Sequence, residues 1–232
     1  MDNTERTQRY FDENAARLEG TKKALQSAIL AATAAALDGK LEGAVLDIGS
    51  GGRVDYSTDR IDKLVSLDIS SCSLERSSAH EKIELVRGDA RKLDLEDGRF
   101  DRVVILHTIH HLAGDSMAAT RGNISDCFRE SHRVLKRTGR ILIIDAVCAP
   151  FVESIERCLF QGFRAALDFI KRPMVFYPSL GRITDALRDS GFNNIASAPL
   201  DTGNAYLCPF TSRIGIPFKY TPLSHILIEG EK

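Results

Sequence analysis

Several features that mark specialised proteins are missing from this sequence of 232 residues. Its 31 lysines and arginines nearly balance 32 acidic residues, and a formal net charge of −1 creates no field that would attract nucleic acid or an anionic membrane. No apolar run approaches the roughly 18 residues that cross a bilayer, and the opening residues, MDNTERTQRY, are too polar for a signal peptide. We therefore expect a cytoplasmic protein with no membrane span and no nucleic-acid partner.

Paired cysteines are lacking as well. The number of cysteines is odd and no CxxC pair occurs, so neither a disulfide framework nor a zinc site is indicated; the five residues are Cys72, Cys127, Cys148, Cys158 and Cys208. The sequence contains no internal repeat and no low-complexity segment. Its composition, 43% hydrophobic and 27% charged, is that of an ordinary globular protein, and its length suits one α/β domain.

What the sequence does contain is an alternation of short apolar runs with helical patterns. This alternation is typical of a mainly parallel sheet with helices on both faces. Strands are predicted at 44–48, 64–68, 83–87, 100–106 and 140–145, with two later strands near 194–198 and 224–229. Helices are predicted at about 4–17, 21–37, 123–135, 151–172 and 182–192, with Gly20 separating the first two and Thr138-Gly139 ending the third.

The run AVLDIGSGG, residues 44–52, predicts a buried strand that enters a tight turn. Its glycines permit positive φ angles and let backbone amides approach a ligand. Asp68 follows Gly49 by 19 positions at the end of the next strand, where a carboxylate can accept hydrogen bonds from both ribose hydroxyls. Asp89, one strand further, is placed to accept a hydrogen bond from the amino group of adenine. Val54 stands where a dinucleotide-binding GxGxxG motif needs glycine, so a mononucleoside cofactor is favoured.

The ordered set of motifs resembles the class I S-adenosylmethionine-dependent methyltransferases. The similar segments cover about residues 44–146 and read VLDIGSGG, LVSLDIS, GDARKLDLEDGRFDRVVILHTIHHL and FRESHRVLKRTGRILIID. The resemblance implies a Rossmann-like seven-stranded sheet whose last strand is antiparallel, with S-adenosylmethionine lying over the strand ends. RVDYSTDR lacks the apolar face of the family's expected helix, so the segment after the glycine turn is predicted to form only an abbreviated turn.

The resemblance also implies cofactor contacts at the first two strand ends. Asp47 ends the first strand, and the turn formed by Gly49, Ser50 and Gly51 would approach the amino-acid part of the cofactor. Asp68 would hold the ribose.

Further contacts are implied at the following strand ends. Ile69 adjoins the ribose position, and Asp89 with Ala90 would meet the adenine. The backbone near Leu106 and His107 would meet the methionine end.

Candidate catalytic residues follow the fourth strand. His107, His110 and His111 fall at i, i+3 and i+4 and are predicted to share a helical face, and a neutral imidazole suits proton removal near pH 7. Asp145 in the neighbouring strand is predicted to orient one of them, so we take His110, His111 and Asp145 as the catalytic candidates. The alternative is that these histidines only cap or pack. Further acids or cysteines with ligand spacing are absent, so no metal is expected.

The remaining segments concern the acceptor. No Asn-Pro-Pro-Tyr-type motif and no Pro-Cys nucleophile follow the fourth strand, which favours a small-molecule or short-peptide acceptor, methylated at oxygen. Methylation at nitrogen or carbon, a peptide carboxylate, or cofactor binding without catalysis stay open, as does a monomer or homodimer. The phenylalanines of 151–169 with Tyr177 either roof an apolar pocket or form an ordinary inner face, with basic residues meeting an acidic acceptor group: Arg164, Lys171, Arg172 or Arg182.

The predicted domain is single and has four parts. An N-terminal helical cap spans 1–40, the cofactor-binding core 41–148, a helical substrate-cap insertion 149–180, and the C-terminal helix and strands 181–232. Tyr10 and Phe11 of the cap either pack on the core or close over the ligand.

Overall fold

The structure is a computed structural model, and it describes residues 1–25, 27–70, 81–202, 206–207, 216–217 and 220–232. Helices within these ranges are α1 (Asn3–Leu25), α2 (Ser27–Leu37), α3 (Met117–Val134), α4 (Pro150–Phe169) and α5 (Leu180–Asp189). The strands described are β1 (Gly43–Ile48), β2 (Ile61–Asp68), β3 (Ile83–Arg87), β4 (Phe100–Leu106), β5 (Leu135–Cys148), β6 (Asn193–Pro199), β7 (Tyr206–Leu207), β8 (Ile216–Pro217) and β9 (Leu223–Glu231).

Seven of the described strands form one sheet in the order β3-β2-β1-β4-β5-β9-β6, and β7 pairs with β8 separately. The β1–β2, β1–β4, β2–β3 and β4–β5 pairs are parallel. β9 runs antiparallel to both of its neighbours, β5 and β6. This confirms the predicted seven-stranded, mainly parallel α/β sheet with an antiparallel last strand.

The core lies on both faces of the sheet because side chains alternate along each strand. In β1, Leu46 packs into one apolar cluster with Phe128 of α3 and Leu187 of α5. Its neighbour Val45 points the other way and packs with Leu37 of α2. The sheet is therefore covered by helices on both sides, as the continuous apolar strands required.

Two helix boundaries differ from the prediction. α1 continues through Gly20 to Leu25. α3 begins at Met117, six positions before 123, because the Ser116 side chain accepts a hydrogen bond from the Ala119 amide and caps the helix there.

The turn residues Thr138-Gly139 were predicted to end that helix, and they instead interrupt a strand. β5 pairs Leu135 with Phe100 and resumes at Arg140 opposite Arg102, so five steps on β5 match two on β4. The extra residues of β5, which include Thr138 and Gly139, therefore form a bulge-like irregularity within the strand.

The predicted absence of a helix between β1 and β2 is confirmed, since residues 51–60 contain only turns and bends. Cys127 and Cys148 are buried free thiols and Cys158 is an exposed one, whereas Cys72 and Cys208 lie outside the described residues. None of the helices in the described ranges is long and apolar enough to cross a membrane.

Candidate active site

The candidate site lies at the carboxyl ends of β1 and β4, the neighbouring strands where the chain reverses its order across the sheet. After β1, Gly49, Gly51 and Gly52 adopt φ angles of +78°, +61° and +73°. A Cβ atom on Gly49 would stand 2.3 Å from the Oγ1 of Thr108. Glycine is therefore required at Gly49 both by its backbone angle and by the close approach of the loop after β4.

Asp68, the predicted ribose ligand, holds the glycine turn against the end of β2. Its Oδ2 accepts a hydrogen bond from the Gly51 amide at 2.8 Å, and its Oδ1 accepts one from the Ser70 amide at 2.8 Å. An ionised carboxylate accepts about four hydrogen bonds, so a side chain at this strand end can bind several donors at once. The hydroxyl of Ser50 lies 2.5 Å from that of Ser66, which directs this predicted contact residue into the protein and leaves its backbone for a ligand.

Asp47 lies beneath the turn. Its side chain is 1% exposed, and Tyr56 donates a hydrogen bond to Oδ2 at 2.6 Å. Burial raises the pKa of Asp47 to about 7, against the opposing effect of that hydrogen bond. Its Oδ1 has no hydrogen-bond partner among the described residues. The structure thus gives Asp47 a supporting position below the turn.

A cavity of about 400 Å³ opens between α1 and the ends of β2 and β3. Thr4 and Gln8 of α1 line one side, and Ile69 and Asp89 line the other. α1 is fixed here partly by a hydrogen bond from the Ser70 hydroxyl to Asp12, at 2.7 Å. The space lies where the adenine was predicted, and its volume is within the range of small-molecule sites.

Asp89 is engaged by Arg91, a residue that the sequence analysis did not single out. The guanidinium Nε lies 2.9 Å from Oδ1 and Nη2 lies 2.6 Å from Oδ2. Partial burial would raise the pKa of Asp89, but the hydrogen bonds and charge of Arg91 hold it below its usual value. Ala90 packs against the core.

His107 stands apart from the other two candidate histidines. It has a φ angle of +51°, its amide donates to the carbonyl of Ile144 at 2.7 Å, and its Nε2 lies 3.3 Å from the hydroxyl of Thr33 in α2. A 3₁₀ turn contains only Ile109–His111. The predicted common helical face is therefore wrong, because the chain leaves the end of Leu106 through a left-handed residue rather than through a helix.

His110 and Asp145 are brought together. Nδ1 of His110 lies 2.7 Å from Oδ1 of Asp145, whose side chain is 2% exposed. The amide of Ile109 donates to Oδ2, and that of Ala146 donates to Oδ1, both at 2.7 Å. Burial would raise the pKa of Asp145, but His110, the nearby His107 and the amide of Ala146 lower it to about 2. A charged carboxylate is an acceptor only, so it fixes the proton on Nδ1 of His110 and leaves Nε2 to accept another.

Aromatic side chains surround the His110 imidazole. Tyr177 stacks on it at 5.1 Å between ring centroids, and His111 lies at 4.1 Å on an inclined plane. The carbonyl of His110 accepts a hydrogen bond from Phe176, which holds the Tyr177 segment in place. Phe11 of α1 meets the His111 ring edge-on at 5.0 Å. The N-terminal helix therefore contributes to both the cofactor cavity and the histidine cluster.

Two titratable residues near this cluster were not predicted. Glu156 of α4 accepts a hydrogen bond from the backbone of Tyr177, its Oε2 is buried without a partner among the described residues, and burial raises its pKa to about 7. His225 in β9 lies 5.4 Å from the His107 ring, and burial lowers its pKa to about 4. The sequence carries no local signal for either, since the register of β9 against β5 and the packing of α4 position them.

The phenylalanines of α4 do not form the predicted roof or a common inner face. Phe160 is buried at 1% exposure, whereas Phe151, Phe163 and Phe169 are exposed. Two of the basic candidates bind carboxylates of the protein itself. Arg164 pairs with Asp115 and Asp168, and Arg182 pairs with Glu153. Arg172 lies over the Tyr10 ring at 5.0 Å.

A model of the methyltransferase domain family matches residues 46–143, which include the glycine turn, Asp68, Asp89 and His110. Together with the seven-stranded sheet, this match supports a methyltransferase domain of the class I, S-adenosylmethionine-dependent type over these residues. Its cofactor is S-adenosylmethionine. The glycine turn, the carboxylate of Asp68 at its edge and the cavity beside Asp89 fit a nucleoside of this kind. Within the described residues, no cluster of three or more histidines, cysteines or acids is placed to hold a metal ion.

Solved structures share the fold of this methyltransferase at low sequence identity. A chain described as a methyltransferase, in complex with the Haloferax volcanii activator Trm112, has a TM-score of 0.67 and 18% identity over 97% of this chain and 96% of that chain. The [4+2]-cyclase SpnF has a TM-score of 0.66 and 12% identity over 97% of this chain and 94% of that chain. Geranyl diphosphate C-methyltransferase from Streptomyces coelicolor has a TM-score of 0.60 and 13% identity over 89% of this chain and 79% of that chain.

Proposed function

We propose that this methyltransferase transfers a methyl group to an oxygen of a small-molecule acceptor, with His110 as the general base and Asp145 as the residue that orients it. The supporting observation is the 2.7 Å contact between Nδ1 of His110 and the buried carboxylate of Asp145. Gly49, Ser50, Gly51, Asp68, Ile69, Asp89 and the backbone at Leu106–His107 are proposed to hold the cofactor. The cap, core, insertion and C-terminal parts given above are proposed as its organisation.

Methyl transfer to a hydroxyl requires the protein to position the acceptor and to remove its proton. When bound, S-adenosylmethionine supplies a methyl group that its sulfonium already activates. The protein has to hold the acceptor in line with that methyl group and take the hydroxyl proton as the new bond forms. Nε2 of His110 is the basic atom left for this proton, because Asp145 fixes the proton on Nδ1. Tyr177 and His111 restrict the plane of the imidazole.

A second candidate is methylation at carbon. The similarity to geranyl diphosphate C-methyltransferase favours it, since that neighbour is named for a small-molecule substrate. A base at His110 serves this reaction as well if a proton is removed from carbon. SpnF, named as a cyclase, shows that the fold also supports other reactions. Methylation at nitrogen and a short-peptide acceptor are less supported, because no observation on this chain favours them.

The proposal is tested by incubating a panel of hydroxylated small molecules with cofactor carrying a ¹³C-methyl group and identifying the labelled atom of the product by NMR. We expect labelled methyl ethers or esters, and His110→Gln should lower kcat by about 10²-fold or more, as expected for loss of a general base. Its matched control is His132→Gln, since His132 lies on α3 and packs against Phe192, away from this cluster. Full kcat in His110→Gln contradicts the role of the base, and a labelled carbon identifies the second candidate.

A further inference from the structure

The outer surface of α4 is apolar along its whole length, although its inner surface is already packed. Phe160 on the inner side is 1% exposed and clusters with Met174 and Phe176. Six large apolar side chains of α4 and the residue after it lie exposed: Phe151 (67%), Ile155 (52%), Leu159 (51%), Phe163 (46%), Phe169 (89%) and Ile170 (52%). We call these six residues the outer face of α4.

Carboxylates of α4 are turned away from the outer face. Glu153 is 3% exposed and pairs with Arg182, and Asp168 lies 2.7 Å from Arg6 of α1. Within α4, Arg157 is the exposed charged residue, and at about 100° per residue it lies about 120° around the helix from Phe151; the exposed Lys171 follows the helix, next to Ile170. A symmetric contact between two copies often brings like charges together, and this face carries none that would oppose it.

The area of the outer face matches one side of a stable interface. If a large apolar side chain has about 200 Å² of surface, the exposed fractions of the six residues amount to roughly 700 Å². A specific interface buries about 800 Å² on each partner, and the largest apolar patch of a typical monomer is about 300–600 Å². The face is therefore larger than a monomer normally leaves in water.

The order of side chains along the outer face is self-complementary. When two copies of α4 run antiparallel about a two-fold axis near residues 160–161, five of the six large residues meet an apolar residue of the other copy. The resulting pairs are Phe151 with Phe169, Ile155 with Ala166, Cys158 with Gly162, and Leu159 with Phe163. Cys158 and Gly162 near the axis are small, and a Cβ atom added to Gly162 would meet nothing within 4 Å. These two residues allow close approach of the helices on one side of the axis, and Leu159 and Phe163 fill the other side.

We propose that the outer face of α4 binds the same face of a second copy of this chain, so that the protein is a two-fold symmetric dimer. This inference does not depend on the acceptor or on the reaction. It has a consequence for the site, because the inner side of the same helix carries Glu156 beside Tyr177. Dimerisation would hold this wall of the histidine cluster in place.

The test is the oligomeric state of the full chain by sedimentation velocity across micromolar concentrations. We expect wild-type protein to sediment as a dimer, and the double variant Ile155→Asp/Leu159→Asp to sediment as a monomer with the circular dichroism spectrum of folded protein, since both side chains are about half exposed. The matched control Leu85→Asp alters an exposed apolar residue of β3 and should remain dimeric. A wild-type monomer, or a double variant that stays dimeric, overturns the proposal.

Cross-linking at Cys158 supplies a second measurement on the native sequence. In the antiparallel pair the two Cys158 residues lie about 10 Å apart, within reach of a short bis-maleimide. We expect a covalent dimer that Cys158→Ser abolishes, and its absence contradicts the arrangement. A monomeric protein that binds anionic phospholipid vesicles through this face also overturns the proposal, because a lipid surface would then cover it.

Discussion

Replacing Asp145 by asparagine tests the geometry at the centre of the candidate site. Both carboxylate oxygens accept backbone amides, and Oδ1 also faces Nδ1 of His110. Asparagine replaces one acceptor by an NH₂ donor, which faces the Ile109 amide at the Oδ2 position, or both the Ala146 amide and His110 at the Oδ1 position. If it faces His110, Nδ1 has to accept and the proton moves to Nε2, so the imidazole can no longer act as a base.

The magnitude follows from the pKa of Asp145, which is about 2 against an ordinary value of 3.8. A lowered pKa adds stability that is complete above the unfolded value and is lost as the pH falls from about 4 to about 2. This difference corresponds to about 2 kcal/mol of free energy of unfolding at neutral pH. We expect Asp145→Asn to be less stable by about this amount at pH 7, and the deficit to shrink in acid as the wild-type carboxyl takes up its proton.

Three measurements make up the assay: urea unfolding followed by circular dichroism across this pH range, the His110 tautomer by ¹⁵N NMR, and kcat with an acceptor that the wild type methylates. Loss of the oriented base should lower kcat by about 10²-fold. Asp185→Asn is the control, because Asp185 forms an exposed pair with Arg188 and should change stability by less than about 0.5 kcal/mol. Unchanged unfolding together with an unchanged His110 tautomer would refute the reasoning.

Two further predictions concern the glycine turn. Gly49→Ala should lose about 2–3 kcal/mol of stability in thermal unfolding, because the new Cβ would overlap Thr108 and the φ angle is +78°. Adding Thr108→Ala to the same chain should restore only part of the loss, because the backbone strain stays. Full stability of Gly49→Ala would contradict this prediction. Asp47 has a pKa raised by burial to about 7, so wild-type stability should fall by up to roughly 4 kcal/mol as the pH rises from about 4 through 7, and Asp47→Asn should remove this slope in pH-dependent urea unfolding. Parallel slopes for the two proteins would show that Asp47 is not the responsible group.

The sequence predicted the sheet well because its signals are local. Each inner strand is a short apolar run, β3 and β4 have the bounds expected, and the glycine turn follows β1 directly. Asp68 ends β2 as predicted, whereas its hydrogen bond with the amide of Gly51 was not predicted. The position of a strand end depends on a short local pattern, so the sequence carries it.

Side-chain directions set by distant contacts could not be predicted. The spacing of the histidines suggested one helical face, but the left-handed backbone at His107 sends its ring towards Thr33 and separates it from His110. The buried Asp47 accepts a hydrogen bond from the Tyr56 hydroxyl, and no motif marks this pair. His225 reaches the site only through the register of β9, and no motif marks that register.

The central claim, a cofactor site at the ends of β1 and β2, is tested most directly by calorimetric titration with S-adenosylhomocysteine. Wild-type protein should bind one equivalent. Asp68→Ala should weaken binding by about 10- to 100-fold, because it removes charge-assisted hydrogen bonds worth about 1.5–3 kcal/mol. Asp62→Ala, an exposed change at the opposite end of the same strand, should bind like wild type. The absence of binding by the wild type, or equal affinity in Asp68→Ala, would contradict the account.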